Sequence, residues 1–352
     1  MHYLARVAVL GFCFVMSSGL CAGMAFGWQS LPVTASIDCA DSIPNVRFRI
    51  TSDYDVGNAF LSTFASHIVE KQSKDVIESQ LRAWQFRDVK YFGQPSKGVY
   101  AFLGEADGFR LVAFRGTTSW EEVFKDALIK QVSYNRIGFD GYGHMGMLKH
   151  YEKVAALVMP ELLARIQADP KPLFLTGHSL GGAIAVLHGM QLKRLGHDVT
   201  AIYTSGQPRV GNEDFYAQLK ELVGDRYYRL EHPHDITPRV PPSHDVAEVF
   251  ARIIPWDLGL LQGQLEGLVR RLNYHKPEGF TMFLDKHLLP SEESGVDFDQ
   301  VFWASLDGAL QGARSLKQIS DQINDRLLNH PAMRYVCNFA KDINESSLAG
   351  LR

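Results

Sequence analysis

The stretch that most constrains this chain reads Pro172-Leu-Phe-Leu-Thr-Gly-His-Ser-Leu-Gly-Gly-Ala-Ile-Ala-Val-Leu-His188. Residues 172–176 form a short apolar run, residues 177–182 a Gly-rich turn, and residues 183–195 follow with helical character. Inside the turn, Gly177-His178-Ser179-Leu180-Gly181 sets a serine between two glycines. At so sharp a strand-to-helix corner a flanking side chain would collide with neighbouring backbone, and glycine removes the collision. Ser179 is then expected to project above a sheet edge at a helix N-terminus, with the Leu180 N–H facing a developing oxyanion. The bare pattern occurs by chance in about one chain in ten of this length. The strand before it and the helix after it make it informative.

With 352 residues, 46% of them hydrophobic, the chain has ample material for a buried core. A net charge of −3 without a long basic run argues against a nucleic-acid partner. From Val7 to Ile37 there is no charged residue; Arg6 precedes an apolar run of ten, and small residues follow around 22–25. That length suits a signal peptide, residues 1–25, better than a membrane span, with a retained N-terminal anchor as the alternative. Export would be as a secreted or periplasmic protein, and residues 26–352 would form a single domain. Removing the leader takes Cys13 and Cys21, leaving Cys39 and Cys337 as either a disulfide or two buried thiols.

Along the chain, residues 58–69 and 74–84 read as helices, and residues 88–92, 98–103 and 109–114 as strands separated by turn residues. Residues 145–168 read as a long helix, kinked or broken at Pro160. The helix after Ser179 closes at Gly196, and residues 199–204 and 226–231 are further strands. Strands alternating with helices predict an α/β fold with a largely parallel sheet. Apolar residues at helical spacing in 258–272 and 302–327 predict a helical insertion over about 246–325, which covers the sheet or caps the site. Residues 253–272 carry a lipid-facing role as a further alternative.

A serine nucleophile needs a base, and the base needs an orienting acid. Asp235 follows a strand in Leu230-Glu-His-Pro-His-Asp-Ile-Thr-Pro-Arg-Val-Pro-Pro242, at the sheet edge where such sites assemble. Downstream histidines are His244, His275, His287 and His330, and spacing alone does not choose among them. His232 and His234 beside Asp235 lack a matching set of further ligands, so no metal is expected.

Five motifs occur in order: Phe114-Arg-Gly-Thr-Thr118, His144-Met-Gly-Met147, Gly177-His-Ser-Leu-Gly-Gly182, Ser205-Gly-Gln-Pro-Arg-Val-Gly-Asn212 and Asp235-Ile-Thr-Pro-Arg-Val-Pro-Pro242. Together they resemble the class 3 lipases, fungal-type triacylglycerol lipases of the α/β-hydrolase fold. The resemblance spans roughly residues 58–339. It implies Ser179 as nucleophile, Asp235 as orienting acid, and His330 as base in the His330-Pro-Ala-Met-Arg-Tyr335 context, ahead of His275 and His287. Thr117 and Leu180 would form the oxyanion hole, and residues 120–128 an amphipathic lid over the site. The implied activity is cofactor-free hydrolysis of acyl glycerol esters through an acyl-enzyme, with transient contact to a lipid surface. A phospholipase A1, a short-chain esterase and a non-catalytic lipid-binding protein are the alternatives.

Overall fold

In the structure, a computed structural model, the described residues are 48–71, 74–94, 98–106, 108–116, 131–243, 273–277, 281–283, 298–311, 318, 332 and 334–339. Two helices come first, α1 (Val56–Lys71) and α2 (Lys74–Ala83). Strands β1 (Asp88–Gln94), β2 (Gly98–Ala106) and β3 (Phe109–Phe114) then form an antiparallel meander. A small ribbon, β4 (Gln131–Ser133) with β5 (Tyr142–His144), leads into α3 (Met145–Ala168). Next come β6 (Leu173–His178), α4 (Leu180–Arg194), β7 (Ala201–Ser205), α5 (Glu213–Val223) and β8 (Tyr227–Glu231). Strand β9 (Thr281–Phe283) and helix α6 (Phe298–Gln311) complete the elements used below. The main sheet runs β1-β2-β3-β6-β7-β8-β9 and is parallel from β3 to β9. This is the mostly parallel, helix-flanked α/β architecture that the strand–helix alternation predicted, and it agrees with the α/β-hydrolase fold that the resemblance implies.

Period-two alternation gives the sheet two buried faces. Val112, Phe114, Leu173 and Leu175 pack with α3, α4 and α5, whereas Leu111, Ala113 and Phe174 pack with α1 and the segment containing Tyr335. Small residues bring α1 close to β6: Thr176 Oγ1 lies 3.0 Å from both the Ser62 carbonyl and the Ser66 hydroxyl. Helix α3 starts on an imidazole cap, since Nδ1 of His144 accepts from the backbone N–H groups of Gly146 and Met147.

Two expectations change. The 145–168 helix is unbroken, although Pro160 lies inside it. Buried Tyr151, Val154, Val158 and Leu162 hold it against the sheet on both sides of the proline, which offsets the one lost backbone hydrogen bond. The stretch 246–325 is not helical throughout, because Thr281–Phe283 pairs with β8 in register Arg229↔Thr281. Three residues carry no periodicity from which a strand can be read. Helix α6 does use the anticipated stripe, burying Phe302 and Leu306, and it buries Trp303 beside them. Residues 253–272 lie outside the described residues, as do the N-terminal 1–47.

Candidate active site

The site assembles at the carboxyl ends of β3, β6 and β8. Ser179 leaves β6 with φ 58° and ψ −130°, backbone angles that cost a non-glycine residue strain energy. The flanking glycines show why the turn closes there. A Cβ on Gly177 would stand 2.1 Å from the Gly181 carbonyl carbon, and one on Gly181 would stand 2.2 Å from the Phe114 carbonyl oxygen. The Ser179 N–H bonds to the Ser205 carbonyl at 2.9 Å, tying the turn to β7. Its side chain is 1% exposed, and its Oγ has no hydrogen-bond partner among the described residues. Leu180 opens α4, so its N–H has no acceptor within that helix and lies at the positive end of the dipole.

Gly116 lies against this turn, for a Cβ there would come 2.9 Å from the His178 carbonyl oxygen and 3.4 Å from Ser179 Cβ. The predicted oxyanion residue Thr117 is next in the chain and lies outside the described residues, with the 120–128 segment expected as a lid.

Asp235 is fully buried in the loop after β8. Its Oδ1 accepts from the Thr237 N–H at 2.8 Å, and its Oδ2 accepts from the Tyr335 hydroxyl at 2.7 Å. The same phenol accepts the His232 N–H at 3.1 Å. Burial, and then the Asp235 charge, hold Tyr335 well above the ordinary phenol range, so it stays a donor. Arg239 bonds to the Asp235 carbonyl and lies 4.6 Å over the Phe302 ring. It shares Asp299 of α6 with Arg209, at 3.5 Å and 2.5 Å respectively. Burial opposes the Asp299 charge, but the two guanidiniums prevail and hold its carboxyl below the usual range.

Among the histidines, His330, His287 and His244 lie outside the described residues. Tyr335, five positions after His330, is on the acid itself. His275 sits elsewhere: its N–H bonds to the Gly211 carbonyl, and its ring is 6.4 Å from that of Tyr216. It lines a pocket of about 210 Å³ with Glu213, Lys220 and Tyr227, and among the described residues no hydrogen bond joins it to Ser179 or Asp235. His232 has its Nδ1 occupied by the His234 N–H at 3.2 Å, and burial lowers its pKa to about 4. Among the described residues no group of three or more His, Cys, Asp or Glu is placed to hold a metal ion. Cys337 is disulfide-bonded, and Cys39 lies outside the described residues.

Several motif residues serve the scaffold. Gln207 accepts from the Tyr227 hydroxyl, and Asn212 caps α5 by accepting from the Phe215 N–H. The buried pair of Glu70 and His178 behind the nucleophile was not anticipated, and no local pattern announces it.

The family model described as Lipase (class 3) matches residues 111–244. A lipase of Rhizopus niveus is 38% identical over 137 residues, covering 38% of this chain and 34% of that protein. A secreted mono- and diacylglycerol lipase of Fusarium solani is 41% identical over 100 residues, covering 28% of this chain and 29% of that protein. The chain thus spans about a third of the length of the curated relatives it matches. A crystal structure of a lipase from Rhizopus microsporus var. chinensis aligns at 26% identity and a TM-score of 0.46, covering 57% of this chain and 76% of that one.

Proposed function

We propose that this chain, whose residues 111–244 match the class 3 lipase family model, is a serine carboxylic ester hydrolase acting on acyl glycerol lipids. The observation that carries the reading is the Ser179 turn: a strained serine at the mouth of a parallel sheet, on a helix N-terminus, with a buried carboxylate at the end of β8. In the proposed reaction His330 takes the Ser179 proton as Oγ attacks the ester carbonyl. Thr117 and Leu180 donate to the oxyanion, the alcohol leaves, and water activated by His330 releases the acid. Asp235 orients the imidazole and stabilises its charge. The Tyr335 contact with Asp235 supports His330, because the resemblance sets the base a few residues before this tyrosine. Names of secreted relatives and the uncharged run from Val7 to Ile37 behind Arg6 support export. Contact with a lipid surface through residues 120–128 belongs to the same reading.

The test is a panel of emulsified triacylglycerol, phospholipid and soluble short-chain esters. Hydrolysis of emulsified acylglycerol is expected; turnover of soluble esters alone would sink the lipase reading. Ser179→Ala should lower kcat by on the order of 10⁴–10⁶-fold and abolish fluorophosphonate labelling. Turnover that survives the substitution would remove Ser179 from the nucleophile role.

A further inference from the structure

Glu70 occupies the last turn of α1, with its side chain 7% exposed. Loss of water and the negative end of the helix dipole both oppose a carboxylate there. Its Oε2 lies 3.0 Å from Nδ1 of His178, whose side chain is 2% exposed. An ionised Glu70 oxygen only accepts, so in that state Nδ1 carries the hydrogen and the ring is held in one tautomer and one orientation. His178 immediately precedes Ser179. Its ring packs edge-on against Tyr335, centroids 5.9 Å apart at 65°, and Tyr335 donates to Asp235. The Glu70 Oε2 is also 3.6 Å from where a Cβ on Gly116 would stand, so the same carboxylate backs the turn leading to Thr117. Hydrogen bonds of the sheet join β6 to β8 only through β7, and they orient backbone rather than side chains.

We propose that Glu70 and His178 are positioning residues: a second carboxylate–imidazole pair that, through Tyr335, holds the Ser179 turn and the Asp235 carboxylate in mutual register. The inference rests on the serine hydrolase reading above. Neither residue touches the reacting atoms; both act through groups that do. Glu70 lies outside the 111–244 segment, so the pair ties the family segment to a helix that precedes it.

The experiment compares full-length wild type with Glu70→Gln, Glu70→Ala, Tyr335→Phe and the Glu70→Ala/Tyr335→Phe double variant on a soluble p-nitrophenyl ester. Thermal midpoints are measured alongside. Glu70→Ala should lower kcat about tenfold, the effect of losing one charge-assisted hydrogen bond, with KM nearly unchanged and the midpoint lowered by only a few degrees, so that the enzyme stays folded at the assay temperature. Glu70→Gln, whose amide oxygen still accepts from Nδ1–H, should retain more activity than Glu70→Ala. The double variant should lose little more than the worse single, as expected for coupled groups. A Glu70→Ala enzyme within about twofold of wild type, fully multiplicative losses, or losses that track a falling midpoint would each overturn the proposal. Should Glu70→Ala not fold, Glu70→Gln kinetics and the imidazole ¹⁵N spectrum of wild type decide. An Nδ1-protonated His178 supports the pair, and an Nε2-protonated one overturns it. Wild type that neither turns over esters nor labels at Ser179 would instead sink the hydrolase reading, and the positioning role with it.

Discussion

Tyr335 gives the acid a donor that cannot easily leave, since the phenol is fully buried and also receives the His232 N–H. Tyr335→Phe removes the hydroxyl while keeping the ring, leaving one buried carboxylate oxygen without this partner. A hydrogen bond to a charged group contributes ~1.5–3 kcal/mol, so kcat should fall by roughly 10- to 100-fold at a similar KM. Steady-state kinetics on a soluble ester check this. The nucleophile turn responds to bulk rather than charge. Gly177→Ala places a methyl 2.1 Å from Gly181 backbone, an overlap that a rigid turn cannot relieve. Loss of fluorophosphonate labelling together with a lowered thermal midpoint is the expected outcome. Ser179 and Asp235 are both readable as residues, because each stands in a local motif beside a strand. The partners of Asp235 are not, because Tyr335 reaches it across 100 residues.

Helix α6 is fastened to the acid loop by one carboxylate. Asp299 is shared by Arg209, from the turn after β7, and Arg239, from the loop that carries Asp235. Removing it leaves two buried guanidiniums uncompensated, so Asp299→Asn should cost ~3–5 kcal/mol, measured by urea unfolding. Activity should fall with stability, since Arg239 also holds the Asp235 carbonyl. The strongly periodic or alternating elements were legible: α1, α2, β1 to β3 and the β6–α4 unit all lie where the pattern set them. Strands β4, β5 and β9, three residues each, were not legible, because a run that short is defined by its pairing partner. The break offered as one alternative at Pro160 did not occur, for a related reason. Local propensity predicts a break, whereas burial on both sides keeps α3 whole.

At the scale of the molecule, acid sensitivity follows from buried imidazoles. His188 lies beneath Phe114, ring centroids 4.4 Å apart, and burial lowers its pKa from 6.5 to about 4. The unfolded chain therefore binds its proton first, so the stability from keeping His188 neutral is complete above about pH 6.5 and is lost as pH falls through about 4. His150 and His232, also lowered to about 4 by burial, act in the same direction. Glu105 adds a later stage: burial opposes its charge, but bonds from Arg110, Lys171 and Arg165 lower its pKa to about 2. Its contribution is present above about pH 4.5 and lost on falling towards 2. Urea midpoints at neutral, mildly acidic and strongly acidic pH should fall in two stages. His188→Gln should flatten part of the first stage and leave the second unchanged.

What the sequence by itself determined was local: the strand–turn–helix around Ser179, the period-two faces of the central strands, and an acid placed just beyond β8. Those features obey steric and periodic rules acting within a few residues, so they can be read without coordinates. Only the tertiary structure decided what stands behind them. Glu70 meets His178 from 108 residues away, and Tyr335 meets Asp235 from 100. Contacts of that separation depend on which helix covers which face of the sheet, and a side chain's own neighbourhood in sequence carries no record of it.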